Sequence, residues 1–355
     1  MSEEKLDAVF ISSLQNITYL SNFSGFTTED RDAYLLITQK KQYFFTHEIY
    51  KEAVIKTVQG FAFIDIKREY PISSAIKTLV EKHRVRRLGF EDFDLKVSEY
   101  EQLTNQISKK ILVAKDLIGI LRIIKDQEEI TAIRNACKLG DQAFTYICKQ
   151  IKTGISEQEL AIKLDFFIKL HGADTSFATI VAFDKNASMP HHVPTAAKLK
   201  KNSLVLFDFG VKLNDYCSDM TRTVFFGKAT KKQKTVYETV FAAQNKAINL
   251  LKSFLINHKS PITASEIDKI AREHIIAQGF SPIPHSLGHG IGLNVHEFPR
   301  LSPISEEKLA SGMVFSIEPG IYLPGEFGVR IEDLFAIKNN KLVQLTNAPK
   351  NLLEL

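Results

Sequence analysis

The chain has no tryptophan, four methionines and three cysteines in 355 residues. It also has no apolar run near the ~20 residues that a membrane-spanning helix needs. Cys137, Cys148 and Cys217 stand in no metal-ligand or redox spacing, and so sparse and odd a count excludes a disulfide scaffold and points to a reducing compartment. Neither sign of charge dominates. The 46 basic and 41 acidic residues leave a net charge of +5, too balanced to argue for nucleic acid or a membrane surface as partner. The basic clusters at 198–201 and 231–234 are short and read as a solvated loop and a helix start. The opening MSEEKLDAVF lacks the positive start and apolar core of a secretory signal, so the expected location is cytoplasmic. Residues 1–120 contain no phosphate loop and no nucleophile motif.

What is present is an ordinary globular composition, 44% apolar and 25% charged. In residues 6–120 the runs LDAVFIS, DAYLLIT, QYFFT, RRLGFED and ILVAKD predict strands, and 48–58 and 72–83 predict helices. The alternation indicates a small α/β domain over 1–120, with a turn in YLSNFSG. A boundary follows near 118–126. Asp126 with Glu129 forms a capping box, after which Ile130, Ile133, Cys137, Gly140 and Phe144 recur at helical spacing. Ser156 with Glu159 and Thr263 with Glu266 repeat the box, and Thr230 with Gln233 opens a helix carrying Val236, Val240, Ala243, Ala247 and Leu250. Long helices interleaved with hairpins make 121–355 an α+β domain, with the outline of an internal repeat.

Two hairpins carry the chemistry. In LVLFDFGVKLNDYCSDMTRTVFF (204–226), Asp208 and Asp219 are equidistant from the point between Leu213 and Asn214. That symmetry predicts that they face each other, with Cβ atoms roughly 4.5–5.5 Å apart. In VFSIEPGIYLPGEFGVRIEDLFAI (314–337), Glu318 and Glu332 are equidistant from Gly325. Paired carboxylates repel, so a cation is expected between them. His285, His289 and His296 fall in HSLGHGIGLNVHE, and His191 and His192 in SMPHHVPT. The glycines of the first motif argue against a helix and allow close backbone approach to a ligand. Four carboxylates with one imidazole are too oxygen-rich for a structural zinc site; they suit Mn²⁺, and Fe²⁺, Co²⁺ or Zn²⁺ where two ions share carboxylates. Such a pair favours hydrolysis of an amide or ester. Cys217, two residues before Asp219, reads as packing.

The set DFG…SDMTRT, HSLGHGIGLNVHE, SIEPGIY and GVRIED resembles the pita-bread metallopeptidases, and most of all their aminopeptidase P and prolidase branch. NITYLSNFSGF, DAYLLIT and the LGFE segment resemble that branch's smaller N-terminal domain. The resemblance implies a catalytic domain over 121–355 that cleaves the bond before a proline in second position through a metal-bridging hydroxide. It implies two divalent ions, Mn²⁺ first, held by Asp208, Asp219, His289, Glu318 and Glu332, with Asp219 and Glu332 bridging. His191, His285, His296 and Arg330 match the family's further active-site residues, Glu318 also matches its proton carrier, and His192 is the lesser match. Arg330 is expected to hold a bridging carboxylate or Asp208. The implied partners are proline-containing peptides and a second copy of the chain. The alternatives are a non-catalytic peptide-binding module on this fold and a hydrolase of a non-peptide substrate.

Overall fold

The alternating apolar runs at the start of the chain build one sheet. The computed structural model describes residues 4–27, 31–108, 111–114, 116–256 and 261–355, in two units, Met1–Leu121 and Arg122–Leu355. In the first unit, β1 (Ala8–Ile11), β2 (Ala33–Thr38), β3 (Gln42–Thr46), β4 (Phe61–Asp65), β5 (Leu88–Phe90) and β6 (Leu112–Ala114) form a six-stranded mixed sheet in the order β4-β3-β2-β1-β5-β6. Alternation sorts its side chains. Phe10, Leu36 and Phe45 pack under α3 (Ile72–His83), after α1 (Leu14–Ser21) and α2 (Lys51–Thr57) in the chain. Val9, Leu35 and Phe44 pack on the other side with Ile17 of α1, Val54 of α2 and Ile118. The helix α4 (Val97–Gln106) follows, and α5 (Leu117–Ile123) spans the boundary between the units. Three expectations need correction. The YLSNFSG turn begins inside α1, which Asn22 ends at φ 56°. The first three residues of the 48–58 helix, Glu48–Tyr50, form a 3-10 turn. Neither β4 nor the polar α4, in which only Leu103 is buried, was expected, because neither shows a clear apolar period. Lys115 of the ILVAKD run lies outside the described residues.

In the second unit the capping boxes start α6 (Gln127–Cys148), α7 (Glu157–Leu170) and α9 (Ala264–Ala277). Thr230 and Gln233 bond reciprocally at the start of α8 (Lys231–Ile256). The apolar stripe of α6 is buried from Ile130 to Ile147. Two helices followed by a broken hairpin occur twice: α6 and α7 before 203–226, and α8 and α9 before 314–338. Among the described residues no helix is long and apolar enough to cross a membrane.

Both hairpins are interrupted midway. After β7 (Asp174–Thr175) and β8 (Ile180–Phe183), β9 (Ser203–Phe209) pairs with β12 (Met220–Phe226), and β10 (Val211–Leu213) with β11 (Tyr216–Cys217). The turn is Asn214-Asp215, both residues at positive φ (48° and 69°) as a two-residue hairpin turn demands. This puts the centre one residue later than symmetry suggested. Asp208 faces Thr221, not Asp219. Asp219 is instead a diagonal neighbour two residues away, in the break between β11 and β12.

The second hairpin keeps its expected register. After β13 (Gly288–Gly290) and β14 (Glu297–Leu301), β15 (Val314–Ile317) pairs with β18 (Asp333–Lys338), which β19 (Lys341–Gln344) continues. Between β15 and β18 the chain forms β16 (Gly320–Leu323) and β17 (Phe327–Arg330), with Ile317 facing Asp333 and Gly320 facing Arg330 about Gly325. Glu318 and Glu332 fall in the gap between the two ladders.

A buried charge cluster ties the hairpins from behind. Arg222 Nη1 donates to the carbonyls of Thr221 (2.9 Å) and Glu332 (2.5 Å), and its Nη2 to Asp333 Oδ1 (2.6 Å). Lys350 Nζ donates to Asp333 Oδ2 at 2.6 Å. Removing one partner of such a pair leaves a buried charge undercompensated. Arg222→Met is therefore expected to destabilise the chain by about 3 kcal/mol or more, read as a lowered urea midpoint.

Candidate metal centre

The structure brings Asp208, Asp219, His289, Glu318 and Glu332 to the wall of one cavity of about 590 Å³. His191, His285, His296 and Arg330 line it as well. His192 also touches the cavity wall, but its Nε2 lies 2.9 Å from the buried carboxylate of Glu157, which makes it a structural residue.

Asp208 comes from β9, buried at every position, and Asp219 and Glu332 from the strand breaks. His289 is the middle residue of β13. A Cβ on Gly288 would lie 2.0 Å from the Ser316 carbonyl, and one on Gly290 2.1 Å from that of Phe298. These glycines let strands approach each other rather than a ligand, which corrects the expectation from sequence. His289 Nδ1 contacts the Gly290 carbonyl at 3.1 Å, so Nε2 is left toward Glu318 Oε1 (3.2 Å) and Asp219 Oδ2 (3.6 Å). The His296 ring meets the His289 ring edge-on, with centroids 4.4 Å apart.

Arg330 holds Asp208, not a carboxylate of the strand breaks. Its Nη2 donates to Asp208 Oδ2 at 2.5 Å, its Nε to Thr221 Oγ1 at 2.9 Å and its Nη1 to the Tyr322 hydroxyl at 2.8 Å. Thr221 Oγ1 in turn donates to Glu332 Oε2 at 2.8 Å. The Tyr322 hydroxyl lies 2.9 Å from His285 Nε2, and His285 Nδ1 lies 2.7 Å from the Ser286 carbonyl. Burial lowers the pKa of His285, so the neutral ring accepts from Tyr322. Sequence reading missed Thr221, Tyr322 and Arg300, the last of which also lines the cavity. Thr221 had a signal, its place two residues beyond Asp219 on the same strand face; Tyr322 had none.

The electrostatics call for a cation. Burial, then the charges of Glu332, Asp208 and Glu318, push Asp219 well above the usual carboxylate range. Burial, then Glu318 and Asp208, does the same to Glu332. Burial opposes the charged form of His289, but the hydrogen bond and charge of Glu318 lift it to about 9, and the same contact holds Glu318 down to about 2 against its own burial. Asp219 Oδ1 and Glu332 Oε1 are buried without a hydrogen-bond partner among the described residues. Asp219, His289 and Glu332 each offer a ligand atom within 4.8 Å of the others. Two bare carboxylate oxygens beside a neutral-capable imidazole fit a divalent first-row ion.

These features define a metal-dependent hydrolase site carried by an α+β unit. Residues 131–339 match the model of metallopeptidase family M24, and residues 1–124 that of the creatinase/prolidase N-terminal domain. The chain belongs to metallopeptidase family M24, with the pita-bread fold expected from its sequence. It is 36% identical over 361 residues to the Xaa-Pro dipeptidase of Pyrococcus furiosus, covering 99% of this chain and 97% of that one. Among solved structures it is similar to the Xaa-Pro dipeptidase from Bacillus anthracis (TM-score 0.91, 32% identity, 100% and 96% coverage). It is also similar to the X-Pro aminopeptidase from Thermotoga maritima (TM-score 0.87, 28% identity, 99% and 98% coverage).

Without a cation, His289, lifted to about 9, holds a proton at neutral pH, and burial with neighbouring charge pushes Asp219 and Glu332 toward their protonated forms; as metal ligands all three would have to be free of protons. Affinity for Mn²⁺ is thus expected to rise with pH up to about 9, where His289 deprotonates unaided. Calorimetric titration in buffers of different ionisation enthalpy checks this: proton release makes the heat buffer-dependent, and buffer-independent heats would contradict it.

Proposed function

We propose that this chain is an Xaa-Pro dipeptidase whose catalytic machinery lies within 121–355. The observation that carries this reading is the pair of bare, buried carboxylate oxygens on Asp219 and Glu332 beside His289. Asp208, Asp219, His289, Glu318 and Glu332 would hold two divalent ions, with Asp219 and Glu332 shared. The oxygen-rich set with one imidazole favours Mn²⁺, and also admits Co²⁺, Zn²⁺ or Fe²⁺. Bound ions of this kind supply a nucleophile at neutral pH by lowering the pKa of water from 15.7 towards about 7, and polarise a carbonyl.

The chain's own groups do the rest. Glu318, at the cavity wall, accepts the proton of the attacking water on a carboxylate oxygen and returns it to the leaving imino nitrogen. His191 and His296 bind the substrate and donate to the oxyanion that forms at the carbonyl; such a donor is worth roughly 2.7–4 kcal/mol. Arg330 keeps Asp208 oriented, and His285 fixes Arg330 through Tyr322. The same reading carries a homodimer, and a cytoplasmic location in keeping with three free thiols.

Arg300 supports the dipeptidase reading over the aminopeptidase P reading. It is exposed, faces His289 across the β13–β14 ladder, lines the cavity and makes no ion pair among the described residues. A free guanidinium at that place suits the proline carboxylate of a dipeptide, a group that a longer peptide lacks there. The dipeptidase names among the relatives support this choice. Xaa-Pro dipeptides should be cleaved faster than Xaa-Pro-Xaa peptides. Arg300→Ala should raise KM for the dipeptides by about tenfold or more with a smaller change in kcat. Preference for longer peptides, unaltered by Arg300→Ala, would favour the aminopeptidase reading.

A further inference from the structure

We propose that Glu157 is a positioning residue that sets the place of His191 in the cavity. The proposal rests on the reading that His191 binds substrate. His191 is exposed and makes no hydrogen bond of its own among the described residues, so the loop of residues 184–195 determines where it stands. That loop is folded around one side chain. Glu157, in the first turn of α7, is 0% exposed. Its Oε1 accepts from Phe183 N and Asn186 Nδ2, both at 2.8 Å, where the loop begins. Its Oε2 accepts from Thr195 N (2.9 Å) and Thr195 Oγ1 (2.6 Å), and lies 2.9 Å from His192 Nε2, where the loop ends. One carboxylate thus closes a loop whose two ends are held by different oxygens.

Four donors, joined by His192 Nε2 in the tautomer that donates, crowd the carboxylate's roughly four lone-pair sites and leave neither oxygen free to carry a proton. The helix does not need the carboxylate there. Ser156 and Glu159 already cap α7, and burying a carboxylate costs several kcal/mol before its bonds are counted. Other contacts aim the clamped loop at the site. Leu204 N donates to Asp184 Oδ1 at 2.8 Å. A Cβ on Gly328 would lie 2.0 Å from the Ala187 carbonyl, so β17 supports the loop closely. Arg330 Nη1, which belongs to the Asp208 network, reaches the Pro190 carbonyl at 3.5 Å. With His192 tied to Glu157 and Pro190 tied to Arg330, His191 is held from both sides through the main chain.

A double-mutant cycle tests this, with kcat, KM and bound Mn²⁺ measured on an Xaa-Pro dipeptide. Glu157→Gln keeps the shape but turns one acceptor into a donor facing donors. It should lower kcat/KM on the order of 10- to 100-fold, in the same constant that His191→Ala changes, with bound metal unchanged. In the His191→Ala background, Glu157→Gln should add no more than about a twofold loss. Thr195→Val, which removes one donor, should show a smaller loss with the same non-additivity, and it carries the cycle if Glu157→Gln does not fold. Multiplying losses, or loss of metal with activity, would overturn the clamp while leaving the substrate role of His191 intact. An unaffected His191→Ala enzyme would overturn that role and the clamp with it.

Discussion

Buried carboxylates crowded into one cavity are the constraint on which the second unit depends. Asp208, Asp219, Glu318 and Glu332 share one cavity, where Arg330 meets Asp208 and His289 meets Glu318 and Asp219. The neighbouring pair Glu332 and Asp333 shows what this means. Alternation along the strand sends Asp333 behind the sheet, where Arg222 and Lys350 meet it, and those cations hold its pKa below the usual range despite burial. Glu332, on the cavity side, has a threonine hydroxyl and, among the described residues, no cation within bonding distance, and its pKa rises. Two adjacent acids, equally buried, are treated oppositely. One belongs to a closed structural cluster; the other is left without such partners.

The strand breaks are the means by which the fold does this. A continuous hairpin would place successive side chains on alternate faces with their backbone groups paired, and would leave little room for convergence. Each hairpin here closes one ladder, releases one or two residues on each strand, and closes a second ladder in the same register. Asp219, Glu318 and Glu332 lie in the released residues. The backbone there is not left unpaired: Glu318 N donates to the Leu287 carbonyl at 2.8 Å and Glu332 N to the Thr221 carbonyl at 3.1 Å. These bonds join the two hairpins and β13 into one frame, which Arg222 fastens at the carbonyls of Thr221 and Glu332.

Much of this was legible in the sequence, and the remainder was not for identifiable reasons. Helix starts were legible because Asp126, Ser156 and Thr263 are capped by residues three positions away. The 314–337 register was legible because Gly325, at φ 76°, marks its turn. The register of the first hairpin was read one residue early. Asn214 and Asp215 tolerate positive φ, and that preference outweighs the symmetry of two aspartates. Glu157 looked like one more first-turn helix charge, since nothing local distinguishes a solvated glutamate from one enclosed by a loop whose contacts lie 26 to 38 residues further on. Tyr322 and Arg300 likewise take their significance from neighbours distant in the chain.

On the proposed reading, the buried carboxylates hold the metal that makes the chain a peptidase. Replacing Asp219 or Glu332 with alanine, then measuring bound metal per chain and turnover of an Xaa-Pro dipeptide on the same preparations, tests it directly. Each substitution is expected to lose metal and activity together while the fold persists. Full turnover with the normal metal content in either variant would contradict it.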